Sequence, residues 1–122
     1  MLILRRIAIA LVLALGVVTA TAPEVRADAQ SALAAIKNEK LVKSVVYRPS
    51  DTIKWHIGVL PDGTMMWGYA MYICQLLREH KAVVGNTWVR VINIVAVANR
   101  GASMRKASLG RVNCKTWRKA HP

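Results

Sequence analysis

Carboxylates and catalytic motifs are scarce in this sequence. Its 122 residues include only 6 Asp and Glu, and there is no Phe. Asp51 and Asp62 lie in turn-like segments, where Asp is common for backbone reasons. Glu79 and its neighbour His80 diverge around a helix, so no two of these groups face each other as a hydrolytic pair does. The nucleophile motif G-x-S-x-G and the phosphate-binding motifs G-x-x-x-x-G-K-S/T and G-x-G-x-x-G are also missing.

Metal and redox chemistry lack their usual ligands as well. Cys74 and Cys114 are the only 2 cysteines, and they lie 40 residues apart. They therefore do not form the C-x-x-C pair that is typical of zinc sites and dithiol redox centres. No two of the 3 His have the H-x-x-x-H spacing of a metal site. We expect a protein that is not an enzyme and that holds no cofactor or metal.

The N-terminal segment has the pattern of a secretory signal peptide at residues 1–27. An arginine pair at 5–6 precedes an apolar run at 7–18, and residues 25–27 (VRA) fit the small-x-small cleavage pattern. The alternative is an uncleaved anchor, but the apolar run is shorter than the roughly 20 residues that span a bilayer. We expect an exported protein, periplasmic or secreted, whose mature chain 28–122 has no transmembrane span.

Export makes a disulfide bond the expected state of the two cysteines. Both lie after the cleavage site, and an even number of cysteines in a short exported chain favours a bridge. An intramolecular Cys74–Cys114 bond would stabilise the fold by about 4 kcal/mol through loop entropy. Two free buried thiols and an intermolecular bridge are the alternatives.

Hydrophobic periodicity divides the chain after the signal peptide into five elements. Helical spacing extends over 29–41 and 65–82, where apolar residues recur three and four positions apart. Strands are predicted at 42–48, 52–60 and 87–97, which are rich in β-branched and aromatic residues. The second of these strands has the clearest alternation in the sequence, and the third is apolar on both faces.

This order of elements predicts an α+β fold. We expect a small two-layer sandwich in the order α-β-β-α-β, with a three-stranded sheet and the first two strands in a hairpin. The helix between the second and third strands should pack on one sheet face, and we place the first strand between the other two. Residues 28–122 form a single domain in this prediction. Within it, 100–122 is a basic, mostly irregular tail, pinned by the disulfide and frayed beyond Lys115.

Positive charge is the strongest functional signal. The sequence has 18 Lys and Arg, and residues 28–122 keep 15 of them against 5 Asp and Glu. Such a field attracts polyanions, and lipid headgroups, lipopolysaccharide and wall polymers are the ones an exported protein meets. We expect no nucleic-acid partner, and a basic surface kept for solubility is the alternative. The candidate anionic-surface patch consists of Arg105, Lys106, Arg111, Lys115, Arg118 and Lys119.

The start of the second predicted helix is rich in large adaptable side chains. Only about half of them can face the sheet, and Met65, Trp67 and Met71 are the candidates for an exposed partner-binding patch. The alternative is that the first helix or the C-terminal tail covers them. The sequence thus predicts a non-catalytic binding or structural module that meets a protein partner in the envelope. Electrostatic attachment to an anionic envelope surface through the basic tail is the second prediction.

Overall fold

The computed structural model describes residues 24–122. The predicted signal peptide falls on residues 1–23, outside the described residues, and on 24–27, which form the first turn of a helix. No helix in the described part of the chain has the length and apolarity to cross a membrane. The elements in chain order are α1 (Glu24–Lys37), β1 (Val42–Tyr47), β2 (Ile53–Val59), α2 (Trp67–Glu79), β3 (Trp88–Asn93), α3 (Ile94–Arg100), β4 (Ser108–Asn113) and β5 (Lys119–Ala120).

The α+β class is confirmed, with a mixed sheet of five strands in the order β1-β2-β3-β4-β5. β1 and β2 form the predicted antiparallel hairpin, and β3 pairs with β2 in parallel. The prediction of three strands with β1 between the other two is therefore wrong. The connection through α2 is long enough to bring β3 back parallel to β2. β1 consequently lies at the edge of the sheet.

One hydrophobic core joins α1 and α2 to the sheet. Alternate residues of β2 point into it, as the sequence predicts, and Tyr47 of β1 stacks on Trp55 with ring centroids 4.2 Å apart. Both helices bury an apolar stripe against the same core. Its fully buried side chains include Ala32, Ile36, Trp55, Ile57, Val59, Ile73, Leu77, Val89, Val91 and Val112.

β3 is shorter than the strand predicted at 87–97, because a helix begins inside that segment. The side chain of Asn93 accepts hydrogen bonds from Val95 N at 3.0 Å and Ala96 N at 3.1 Å. These bonds satisfy two of the free N–H groups at the start of α3. Gly101 ends the helix with a φ of +63°. The polar residue that interrupts the apolar run is therefore a helix cap.

The basic segment after residue 100 is not frayed beyond Lys115, and 8 of its residues lie in two strands that the sequence did not predict. β4 pairs antiparallel with β3, and β5 pairs with β4. Beyond Lys115, the main-chain O of Ala120 accepts a hydrogen bond from Trp67 Nε1 at 3.1 Å. The pairing partners are remote in sequence, and Gly110 interrupts the local strand pattern. For these reasons the periodicity of this segment did not predict its two strands.

The predicted disulfide is confirmed. Cys74 on the buried stripe of α2 is bonded to Cys114, the residue that follows β4. Arg78, one turn further along the helix, donates from Nη2 and Nε to the main-chain O of Cys114 at 2.8 and 3.2 Å. One covalent bond and two hydrogen bonds thus attach the end of β4 to α2.

Replacing both cysteines by Ala tests the contribution of this bond. The Cys74→Ala/Cys114→Ala variant should lose about 4 kcal/mol of unfolding free energy, because its unfolded chain regains the entropy of a loop of 40 residues. Urea unfolding of the oxidised protein and of the variant measures the difference. The reduced wild-type protein should match the variant. Equal stability of all three would contradict the prediction.

A substitution at Gly110 tests the packing of β4 against α2. Its φ is +118°, and a Cβ at this position would lie 2.7 Å from Cδ1 and Nε1 of the Trp67 ring. We expect Gly110→Ala to lower the free energy of unfolding by about 1–3 kcal/mol, through overpacking and backbone strain. Gly68→Ala is the matched control, because Gly68 is exposed on α2 and a Cβ added there would have no atom within 4 Å. It should raise stability by up to about 1 kcal/mol. Thermal unfolding that ranks the two variants in the opposite order would refute the expected clash with Trp67.

Candidate anion-binding site

Three basic side chains lie side by side on the sheet face that points away from α1 and α2, here called the outer face. His56 of β2 is in register with Arg90 of β3, and Arg90 is in register with Arg111 of β4. Their neighbours along the strands, such as Ile57, Val91 and Val112, enter the core on the other face. Strand alternation therefore places His56, Arg90 and Arg111 together across three strands. We call these three residues the cationic row.

Arg90, at the centre of the row, is 8% exposed. Its Nη2 donates to the main-chain O of Pro122 at 3.2 Å, and its buried Nε has no hydrogen-bond partner. Burial, followed by the charges of Arg111 and Arg105, lowers the pKa of Arg90. A buried guanidinium without an acidic side chain as its partner carries a large desolvation cost. The centre of the row is consequently a place where an anion would be strongly favoured.

Arg111 forms the half-buried end of the row. Its guanidinium lies over the Trp88 ring, with Cζ 4.5 Å from the ring centroid, and its Nε is buried without a partner. The indole face holds the guanidinium in place without neutralising its charge. Among the side chains of residues 28–122, the one ion pair joins Arg48 to Asp51 at 3.9 Å, and both are exposed in the β1–β2 turn. No Asp or Glu side chain of residues 28–122 is therefore paired with Arg90 or Arg111.

His56 forms the other end of the row. The sequence places it on the wetter face of its strand, but its side chain is only 4% exposed. Its Nδ1 has no hydrogen-bond partner. Burial, followed by the charges of Arg90 and Arg48, lowers the pKa of His56 from 6.5 to about 4. At neutral pH the imidazole is uncharged, and it adds a polar group to the row without adding repulsion.

The structure separates the six residues of the candidate anionic-surface patch. It brings Arg105 and Arg111 close enough to Arg90 to affect its pKa. Lys119 lies instead over the Trp67 ring, with Nζ 5.4 Å from the centroid, on the helix side of the sheet. The other three, Lys106, Lys115 and Arg118, are exposed.

Arg90 and His56 were not among the site residues expected from the sequence. The available signal was a charged residue inside the apolar run that begins at Trp88. A strand that is buried on both faces rarely carries an arginine without a partner for it. Periodicity assigned His56 to the correct face, but it could not show that neighbouring strands and the Pro122 segment close over this part of that face.

The predicted partner patch is half-buried. Trp67 and Met71 pack against the hydrophobic core, and the Trp67 ring also contacts Gly110 and Lys119. Met65 is half-buried as well. These contacts reduce the apolar area that α2 offers to a partner, and the patch stays a prediction.

A groove of about 340 Å³ lies where β1 begins and β2 ends. Its one carboxylate, Asp62, accepts hydrogen bonds from the main-chain N and Oγ1 of Thr64 at 2.9 and 2.6 Å. These bonds lower the pKa of Asp62. No group of three His, Cys, Asp or Glu that could hold a metal ion occurs in the described part of the chain. The groove is lined by Lys40, Leu41, Lys43, Val59, Leu60, Asp62 and Met66.

Comparisons with known proteins add no further constraint. No protein-family model matches the sequence, and no match is found among curated proteins or solved structures. Function is therefore inferred from the cationic row and its surroundings.

The depressed pKa of His56 has a measurable effect on stability. Between pH 6.5 and about 4 the unfolded chain takes up a proton that folded His56 does not, so the free energy of unfolding falls as the pH falls. The slope from this one group is at most about 1.4 kcal/mol per pH unit. His56→Gln should remove that part of the slope in urea unfolding across this range.

His80→Gln is the control for this measurement. His80 lies on the helix side of the molecule, where Nδ1 contacts Ser31 Oγ at 2.6 Å. The control should keep the contribution of His56 to the slope. A slope that stays unchanged in His56→Gln would show that His56 titrates normally in the folded protein.

Proposed function

We propose that this protein is an exported, non-catalytic binding module that attaches to anionic surfaces or polymers of the cell envelope. The observation that carries the proposal is the uncompensated charge of the outer face. Arg90 and Arg111 lie in adjacent strands without an Asp or Glu partner, and Arg105 adds a third charge close by. Envelope phosphate groups, such as those of lipid headgroups and wall polymers, supply the missing negative charge.

The charge of the rest of the chain supports the same proposal. Residues 28–122 carry 15 Lys and Arg against 5 Asp and Glu, and the segment from Arg100 onward has no acidic residue. Charges of one sign add to a field that attracts polyanions over a distance of about 10 Å at 0.1 M salt. The fixed guanidinium groups of the row then meet the anion at short range.

The structure favours an anionic surface over a protein partner as the ligand of this module. A partner bound through Met65, Trp67 and Met71 would have to use side chains that already pack within the molecule. Arg90 and Arg111 also have contacts within the molecule, with Pro122 O and the Trp88 ring, but no Asp or Glu neutralises their charges.

Binding to lipid vesicles tests the proposal. The protein should bind vesicles that contain phosphatidylglycerol at about 50 mM NaCl, and it should be largely released at about 500 mM, where screening is strong. Arg105→Gln/Lys106→Gln should weaken the low-salt affinity roughly thirty-fold, since each basic residue near an anionic surface contributes about 1 kcal/mol. Co-sedimentation with vesicles measures both effects.

Lys37→Gln/Lys40→Gln is the matched control, because it removes the same charge from exposed residues at the end of α1 and the turn after it. We expect its effect to be much smaller. Equal losses in the two variants would show that net charge, and not the outer face, drives attachment. Absence of binding to anionic vesicles at low salt would refute the proposed function.

A further inference from the structure

We propose that the cationic row is a discrete site for one tetrahedral oxyanion, such as the phosphate group of a phosphate monoester. The inference rests on the proposed function and deepens it, because it assigns one ligand group to three named side chains. The exposed lysines and arginines of the basic segment can attach to any anionic surface. The row, in contrast, has a fixed geometry inside the sheet.

The backbone makes the row rigid. His56, Arg90 and Arg111 are consecutive across three hydrogen-bonded strands, and β3 is paired along both of its edges. The Trp88 ring holds the Arg111 guanidinium, and Pro122 O holds one nitrogen of Arg90. A ligand would therefore meet donors that are already positioned, and little side-chain entropy would be lost on binding.

The free donors define the ligand. Arg90 Nε and Arg111 Nε are buried N–H groups without hydrogen-bond partners. His56 Nδ1 is also buried without a partner, and it can donate when the imidazole is protonated. Unpaired buried N–H groups are costly, and they are most favourably satisfied by a charged acceptor. A tetrahedral oxyanion presents several oxygens and up to two negative charges, which matches two guanidinium groups. A metal ion or another cation would be repelled by the same charges.

Arg111 is half-buried, so its end of the cationic row is the one that solvent can reach. Arg90 and His56 lie deeper, at 8% and 4% exposure. An anion that enters over the Trp88 and Arg111 side chains would reach Arg90 next. Arg105, whose charge also acts on Arg90, adds attraction from the loop that precedes β4.

His56 couples anion binding to proton uptake. The charged groups that act on it are Arg90 of β3 and Arg48 and Asp51 of the β1–β2 turn. A bound oxyanion reverses the local repulsion from Arg90, so the imidazole gains a proton more readily in the complex. Binding of an anion whose own charge is constant should consequently strengthen as the pH falls.

Isothermal titration of the whole protein tests the site. The probes are inorganic phosphate, glycerol 3-phosphate and sulfate, added at constant ionic strength. We expect saturable binding of one anion per chain. Arg90→Lys and Arg111→Lys keep the charge but lose the planar fork of donors, and each should weaken binding about tenfold or more. Sulfate, which stays doubly charged from pH 5 to 7.5, should bind about threefold tighter at pH 5, and His56→Gln should lose this difference.

The charge-conserving variants separate this inference from the proposed function. Arg90→Lys and Arg111→Lys keep the positive charge of the outer face, so each should lose much less vesicle affinity than Arg105→Gln/Lys106→Gln, which removes two charges. If no anion binds saturably, or if both variants bind phosphate as tightly as the wild type, the discrete site does not exist, even where vesicle attachment persists. If Arg90→Lys fails to fold, the half-buried Arg111→Lys gives the same comparison. If the wild-type protein binds phosphate saturably but does not bind vesicles, the proposed function is refuted and the discrete anion site remains.

Discussion

The attachment of the end of β4 to α2 is the interaction on which the arrangement of the C-terminal strands depends. Cys114 follows β4 directly, and it is tied to α2 by the disulfide with Cys74 and by two hydrogen bonds from Arg78. β4 also pairs with β3, so this attachment fixes Arg111 beside Arg90. β5 is added on the far side of β4. The disulfide in the helical layer thereby anchors the strand that carries Arg111.

The two faces of the sheet differ in the number of polar side chains that they carry. The inner face carries apolar side chains that pack against α1 and α2 in one core. The outer face carries two guanidinium groups and an imidazole at positions that are partly or fully buried. An apolar residue at the position of Arg90 would avoid the desolvation of a charge. The sheet thus gives up stability on its outer face in favour of a local positive field, which is the property on which an anion-binding function depends.

Local pattern was sufficient for some elements of the fold. The alternation from Ile53 to Val59 predicted a half-buried strand and its inner face, and helical spacing predicted α2. The pattern failed where a segment owes its conformation to distant partners. β4 was assigned to an irregular tail because Gly110 and the basic residues conceal its alternation. The end of β3 was misplaced because the apolar run continues through Asn93, which is a helix cap in the structure.

The sequence alone determined the α+β class, the disulfide pairing and the excess of positive charge, because composition, spacing and local periodicity carry this information. It also placed His56 opposite the apolar face of its strand. Only the tertiary structure decided that His56, Arg90 and Arg111 lie in one row. Alternation shows which face of a strand a residue occupies, whereas the order and register of the strands depend on long-range packing. The burial of Arg90 without an Asp or Glu partner follows from that order, because it depends on which side chains the neighbouring strands contribute.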